Sequence, residues 1–196
     1  NIGELQTSSI VDRMPYENEV GYRVNLRSVE GAGQNALWST FGAGVDADFC
    51  STGEYNYVEN EVVNITSIFN NENYVKQYIN GVLVDSISTN KSFDSNRALE
   101  FGRLNFDFVQ GEYFKGLIQS IVIWKEELDS YQIALIDNHE NLPENEMIVG
   151  LWMMNQGPDG DYPNILIDYS GNQNHGQIFG PVWDFNNEPP SISCSN

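Results

Sequence analysis

Apolar and polar positions alternate with a period of two along most of this chain, the pattern of strands that bury one face. Val20, Tyr22, Val24 and Leu26 share one face of a first predicted strand, with Gly21, Arg23 and Asn25 on the other. Residues 37–41 read as a second strand, and residues 61–69 and 74–79 as two more, parted by the turn-forming run Asn70-Asn71-Glu72-Asn73. Asn80-Gly81 follows at once and leads into Val82, Leu83 and Val84. Asn-Gly between two β-rich runs is the strongest short hairpin signal, because a type I′ turn needs positive φ at both central residues.

Further strands are predicted at residues 98–101 and 113–124, the latter the most apolar stretch of the chain. Residues 129–138 are the one segment with a helical pattern. Asp129 is placed to cap it, and Ile133, Leu135 and Ile136 to bury one side. After a polar link at 139–146, strands resume at 148–154, 165–167, 176–179 and 182–185. Residues 186–196, rich in Pro and Ser, read as a linker or tail. About ten short strands and one helix predict an all-β fold, an antiparallel two-sheet jelly-roll sandwich spanning residues 1–185.

Composition sharpens this picture. At 196 residues the chain suffices for one well-buried domain. Its 28 acidic against 9 basic residues give a net charge of −19, which repels phosphate backbones and anionic lipid, so nucleic acid is not an expected partner. With 40% hydrophobic residues it is not a disordered chain. Abundant Asn and Gly fit many tight turns. No apolar run approaches the roughly 18 residues of a membrane span, so no membrane insertion is expected. The chain begins at Asn1, without Met or a signal peptide, which suggests a processed or excised segment joined to neighbouring domains.

Cys50 and Cys194 lie too far apart for a CxxC motif. They form either one disulfide, which a secreted setting favours, or two unrelated thiols. Asn64 and Asn90 open Asn-X-Ser/Thr patterns, which are common by chance in an Asn-rich chain.

Two segments resemble a known family. VKQYINGVLVDS, ALEFGR and YFKGLIQSIVIWKEELDSYQI are similar to the second half of laminin-G-type sandwiches of the concanavalin A-like lectin/glucanase superfamily. Tyr78, Asn80, Gly81, Gly102, Phe114, Gly116, Ile118, Ile121, Ile123, Trp124 and Gln132 fall on its pattern. The segment IVGLWMMNQGPDGDYPNILIDYSGNQNHGQIFGPVWDF resembles the opening of such domains, yet here it follows the helix. Either it completes the sandwich as a circular permutant or it begins a truncated next copy. Length favours the permutant, because some 40 residues alone bury no core.

Glucanases of this superfamily carry alternating carboxylates on one strand, since acid and nucleophile must flank one glycosidic bond. No such strand exists here: Glu126-Glu127-Leu128-Asp129 reads as a solvated corner, and Glu59 and Glu61 border an ordinary strand. His139 and His175 have no nucleophile signature around them, so no catalysis is expected. The resemblance implies calcium in many relatives. Candidate oxygen ligands are Asp46 and Asp48, Asp159 and Asp161, and Asp168 with Asn172, although the same patterns also make plain turns.

Sugar recognition stacks aromatic rings on apolar pyranose faces. Trp38, Tyr55, Tyr57, Phe106 and Tyr113 lie near polar loops and are the ligand-face candidates, whereas Trp124 and Trp152 fall on core positions of the family. The expectation is a non-enzymatic carbohydrate-binding or adhesion module of a larger secreted or cell-surface protein. Its partners would be glycan or extracellular protein. The alternative is a structural spacer mediating protein–protein contacts.

Overall fold

A computed structural model describes residues 5–14, 19–29, 34–43, 46–52, 61–103, 113–137, 147–154 and 164–180. The fold is all-β, with antiparallel sheets of the jelly-roll type and one short helix among the described residues. No described helix is long and apolar enough to cross a membrane. The chain divides into two compact units, Asn1–Lys115 and Gly116–Asn196.

In the first unit, β1 (Leu5–Asp12), β2 (Gly21–Val29), β3 (Gln34–Ala43), β4 (Asp46–Ser51), β5 (Ile65–Asn70), β6 (Tyr74–Ile79), β7 (Val82–Ser88) and β8 (Glu100–Phe101) form two sheets. One has the order β4-β3-β2-β1-β8 and the other β5-β6-β7. Their facing sides are the ones the alternation marks. Val24 and Leu37 meet Ile79 in one buried cluster, and Phe41 and Cys50 meet Val75 in a second. Tyr22 stacks on Phe69 at 5.2 Å beside the second cluster.

The turns follow their residues. Asn80 and Gly81 have φ of 47° and 72°, as a type I′ turn requires. Asn80 also ties the hairpin to the strand before it: its side-chain oxygen accepts from Asn64 N–H at 2.9 Å, and its own N–H donates to the Asn64 carbonyl at 2.9 Å. Cys50 is fully buried with a free thiol that donates to the Val75 carbonyl at 3.0 Å. Burial pushes this thiol up to about 11, aided by the nearby Asp85 charge. Cys50 is a free thiol among the described residues; Cys194, its partner in the disulfide alternative, lies outside them.

The second unit holds β9 (Ser120–Trp124), α1 (Ser130–Asp137), β10 (Ile148–Met153), β11 (Ile165–Leu166) and β12 (Gly176–Gln177). The expected strand over 113–124 is regular only from Ser120; Tyr113 makes a single bridge to Arg103. Asp129 caps α1 as expected. Its carboxylate accepts from Gln132 N–H at 2.8 Å, and the Gln132 side chain accepts from Asp129 N–H at 2.9 Å, a reciprocal box. β10 pairs antiparallel with β9, so the late segment of the resemblance is joined by a ladder to the end of the early one. Gly150 is required there, because a Cβ would fall 2.2 Å from the ring of Trp152.

Candidate functional site

The outer side of the five-stranded sheet carries an unusual set of side chains. Strand register aligns Ser51, Trp38, Asn25 and Ser9 in one row across β4, β3, β2 and β1. The next row holds Phe49, Thr40, Arg23, Asp12 and, on β8, Glu100. A period-two pattern with polar residues here predicts a solvated face. Instead Ser9, Asp12 and Asn25 have no solvent exposure, and Arg23 has 5%.

Burial is tolerated where partners exist. Asp12 takes the Arg23 guanidinium at 3.0 Å and 3.3 Å and the backbone N–H of Met14 at 2.9 Å, so charge and lone pairs are both met. Asn25 and Ser9 differ. Neither the Asn25 carboxamide nor the Ser9 hydroxyl has a hydrogen-bond partner among the described residues, although the two residues lie opposite each other across β1 and β2. Glu100 faces Asp12 across β1 and β8. Burial raises its pKa; Arg103, at 3.5 Å, lowers it, the Asp12 charge raises it, and Arg97 lowers it.

At the β4 side of this face, Trp38 and Phe49 stack with centroids 4.2 Å apart and planes 14° from parallel. Trp38 is half-buried beneath this contact, while Phe49 is 46% exposed. The structure thus gives the Trp38 candidate a partner that sequence reading missed. Phe49 and Trp38 stand on different strands, and only the β3–β4 register brings them together. Tyr113 is 56% exposed in its bridge to Arg103. Tyr55, Tyr57 and Phe106 lie outside the described residues, as do Asp159, Asp161, His139 and Trp183.

The candidate calcium ligands are differently arranged from the expectation. Asp46 and Asp48 are not in a loop: they begin β4 and pair with Ala43 and Phe41. Asp46 is paired with the Lys91 ammonium at 2.7 Å, and Asp48 accepts from the Thr89 hydroxyl at 2.6 Å. Asp168 accepts four hydrogen bonds. Its donors are the N–H groups of Leu151, Ser170 and Asn174, each at 2.9 Å, and the Ser170 hydroxyl at 2.8 Å. Burial alone would raise its pKa, but these donors outweigh burial and hold it below the usual carboxylate value.

Asn172 turns its amide N–H groups onto the carbonyls of Ile148 and Val149 at 2.8 Å and 3.2 Å. Calcium needs several oxygen lone pairs converging on one point. A lysine ammonium on Asp46 and four donors on Asp168 do not fit that requirement, and no group of three or more acidic, His or Cys side chains converges among the described residues. The Asp168 segment is the turn alternative, built as a clasp. Asp168 N–H donates to His175 Nδ1 at 3.1 Å, and Trp152 Nε1 donates to the Asn174 carbonyl at 3.0 Å. Trp152 is buried at 4%, in the core role expected of it.

Comparison with known proteins follows the same lines. A laminin-G family model, described as the concanavalin A-like lectin/glucanases superfamily, matches residues 4–134. No curated protein matches the chain. A crystal structure of an S-layer domain-containing protein (residues 221–444) from Clostridium thermocellum ATCC 27405 is similar at a TM-score of 0.35 and 11% identity. The match covers 70% of this chain and 65% of that one, less than two thirds of its length. With the family match spanning well over half of its length and its described strands paired antiparallel, the chain belongs to the concanavalin A-like lectin/glucanases superfamily as a laminin-G-type domain.

Proposed function

We propose that this chain is a non-catalytic carbohydrate-binding or adhesion module of a secreted or cell-surface protein, with the Trp38–Phe49 stack as its contact surface. The stack is the observation that carries the reading. Two parallel rings on adjacent strands make a rigid aromatic plate, and the exposed member offers a face to an apolar sugar surface.

The carboxylate geometry supports a binding rather than a hydrolytic role. Asp12 and Glu100 do oppose each other on one sheet face, which sequence reading missed because 88 residues separate them. A glycosidase must present both members of such a pair to its substrate. Asp12 is enclosed and held by Arg23 and Met14, so it is a structural anion.

A second reading, a spacer making protein–protein contacts, is favoured by one observation. Val82, Leu83 and Val84 on β7 are 65%, 47% and 41% exposed, and Val62 is 51% exposed. A glycan array run in calcium and again in EDTA separates the two. Binding that falls about tenfold or more in Trp38→Ala and Phe49→Ala, equivalent to about 1.4 kcal/mol, supports the stack as the site. No binding across a broad array leaves the spacer. Binding lost in EDTA and restored by calcium would support a calcium-dependent module. Turnover in a polysaccharide hydrolysis assay would overturn the non-catalytic reading.

A further inference from the structure

Two buried apolar clusters of the first unit share the Phe69 ring, yet along β6 a polar residue stands between them. Along β6, Val75 belongs to one cluster and Ile79 to the other. Gln77 lies between them, and strand alternation puts all three on the same inward face. Across the ladders Gln77 opposes Ser67 on β5 and Asp85 on β7. From the facing sheet, Ser39 reaches across, and its hydroxyl is 2.7 Å from that of Ser67. Asp85 ends this polar band at the β7 side, where it is half-buried and accepts from Ser51 N–H of β4 at 2.9 Å.

Gln77 is fully buried, and neither its carboxamide oxygen nor its nitrogen has a hydrogen-bond partner among the described residues. A buried amide left so is unfavourable, and a well-packed fold does not retain one without compensation. The serine pair poses the same demand from the other side. In a hydroxyl–hydroxyl bond one O–H is donated and the other still needs an acceptor. The Gln77 oxygen is an acceptor and its nitrogen carries two donors, yet it stands beyond direct reach. The β6–β7 ladder also shifts register next to Gln77, with Val84 as the extra residue, so the local backbone is bulged rather than tightly laddered.

We infer that Gln77, Ser39 and Ser67 form an internal hydration site between the two sheets, in which an ordered water bridges the carboxamide to the serine hydroxyls. A single water donates two and accepts two hydrogen bonds. It therefore matches a site with one acceptor, an amide donor and a spare hydroxyl, within the usual count of about three bonds for a buried water. The bridge crosses from one sheet to the other, so it also pins their relative register. A slip of β6 by one residue would turn Gln77 outward and abolish it.

A crystal structure of the unmodified chain tests this directly. The expected result is a density peak about 2.7–3.2 Å from Gln77 Oε1 or Nε2 and within the same range of a Ser39 or Ser67 hydroxyl. A dry band, with the Gln77 amide bonded directly to a protein group, overturns the inference. Magnetic relaxation dispersion of water oxygen gives an independent readout: the amplitude from long-lived internal water should drop by at least one molecule in Gln77→Met. An unchanged amplitude in a folded Gln77→Met also overturns it. Should that variant not fold, Ser67→Ala carries the same expectation.

Discussion

Asp12 and Asp168 are both buried carboxylates, and the two halves of the chain satisfy them by opposite means. Asp168 is held by neighbours in its own short segment and in β10, with four N–H and O–H donors and no cation among the described residues. Asp12 is held by the guanidinium of Arg23 on the next strand and by the backbone N–H of Met14. The clasp is distributed, so no single donor is indispensable. The ion pair depends on charge: removing Arg23 takes a cation from beside an anion with no solvent exposure. Its neighbours Asn25 and Ser9 add no hydrogen bond to relieve it.

That contrast gives the largest expected effect. Arg23→Ala should destabilise the chain by about 3–5 kcal/mol, measured as a lower urea midpoint, because the buried charge of Asp12 loses the Arg23 cation. Replacing both members, as in Asp12→Leu with Arg23→Met, should recover most of that loss, since neither desolvation cost remains. A double variant as unstable as Arg23→Ala would show that the pair is not the source.

Asp168→Ala should cost less, about 2–3 kcal/mol, because several backbone donors lose a charged acceptor but the surrounding turn still brings some of them to water. Tryptophan fluorescence provides a local readout, as Trp152 is bonded to Asn174 within the same clasp. An unchanged emission and midpoint would rule out the clasp as a stabilising element.

The smallest effects are in pH dependence, and two carboxylates should differ in sign. Asp168 has a folded-state pKa below its ordinary value, so its contribution is complete above about pH 4 and is lost as pH falls through the lowered pKa. Glu100 has a raised pKa. Its contribution is complete below the unfolded value of about 4.3 and is lost as pH rises through the folded one. Comparing wild type with Asp168→Asn and with Glu100→Gln across acid titrations should therefore give difference curves of opposite slope. Curves of the same slope would contradict the assignment of one group to donors and the other to burial.

Much of the fold was legible because it is written in local pattern. The β2 alternation, the Asn70–Asn73 turn, the Asn80-Gly81 hairpin and the Asp129 cap all depend on residues close in sequence, and each formed as read. Asp46 and Asp48 lie on a strand rather than in the expected loop for a related reason. Two aspartates around one alanine look like a turn, but the ladder to β3 supplies partners that make them the start of a strand. The site was less legible still. Trp38 stood out by residue type, while Phe49, Glu100 and Asp12 gave no local signal.

By itself, the sequence determined the strand-rich class and the turns, since these follow from side-chain periodicity and from which residues accept positive φ, while its motifs carried the resemblance to the family. Only the tertiary structure decided what the polar faces do. Strand register placed Phe49 beside Trp38 and Asp12 opposite Glu100, and it set Gln77 between two apolar clusters. The reason is physical: alternation says which side of a strand a residue occupies, but not whether that side meets water. A buried polar side chain is defined by what packs over it and beside it, and those neighbours come from distant parts of the chain.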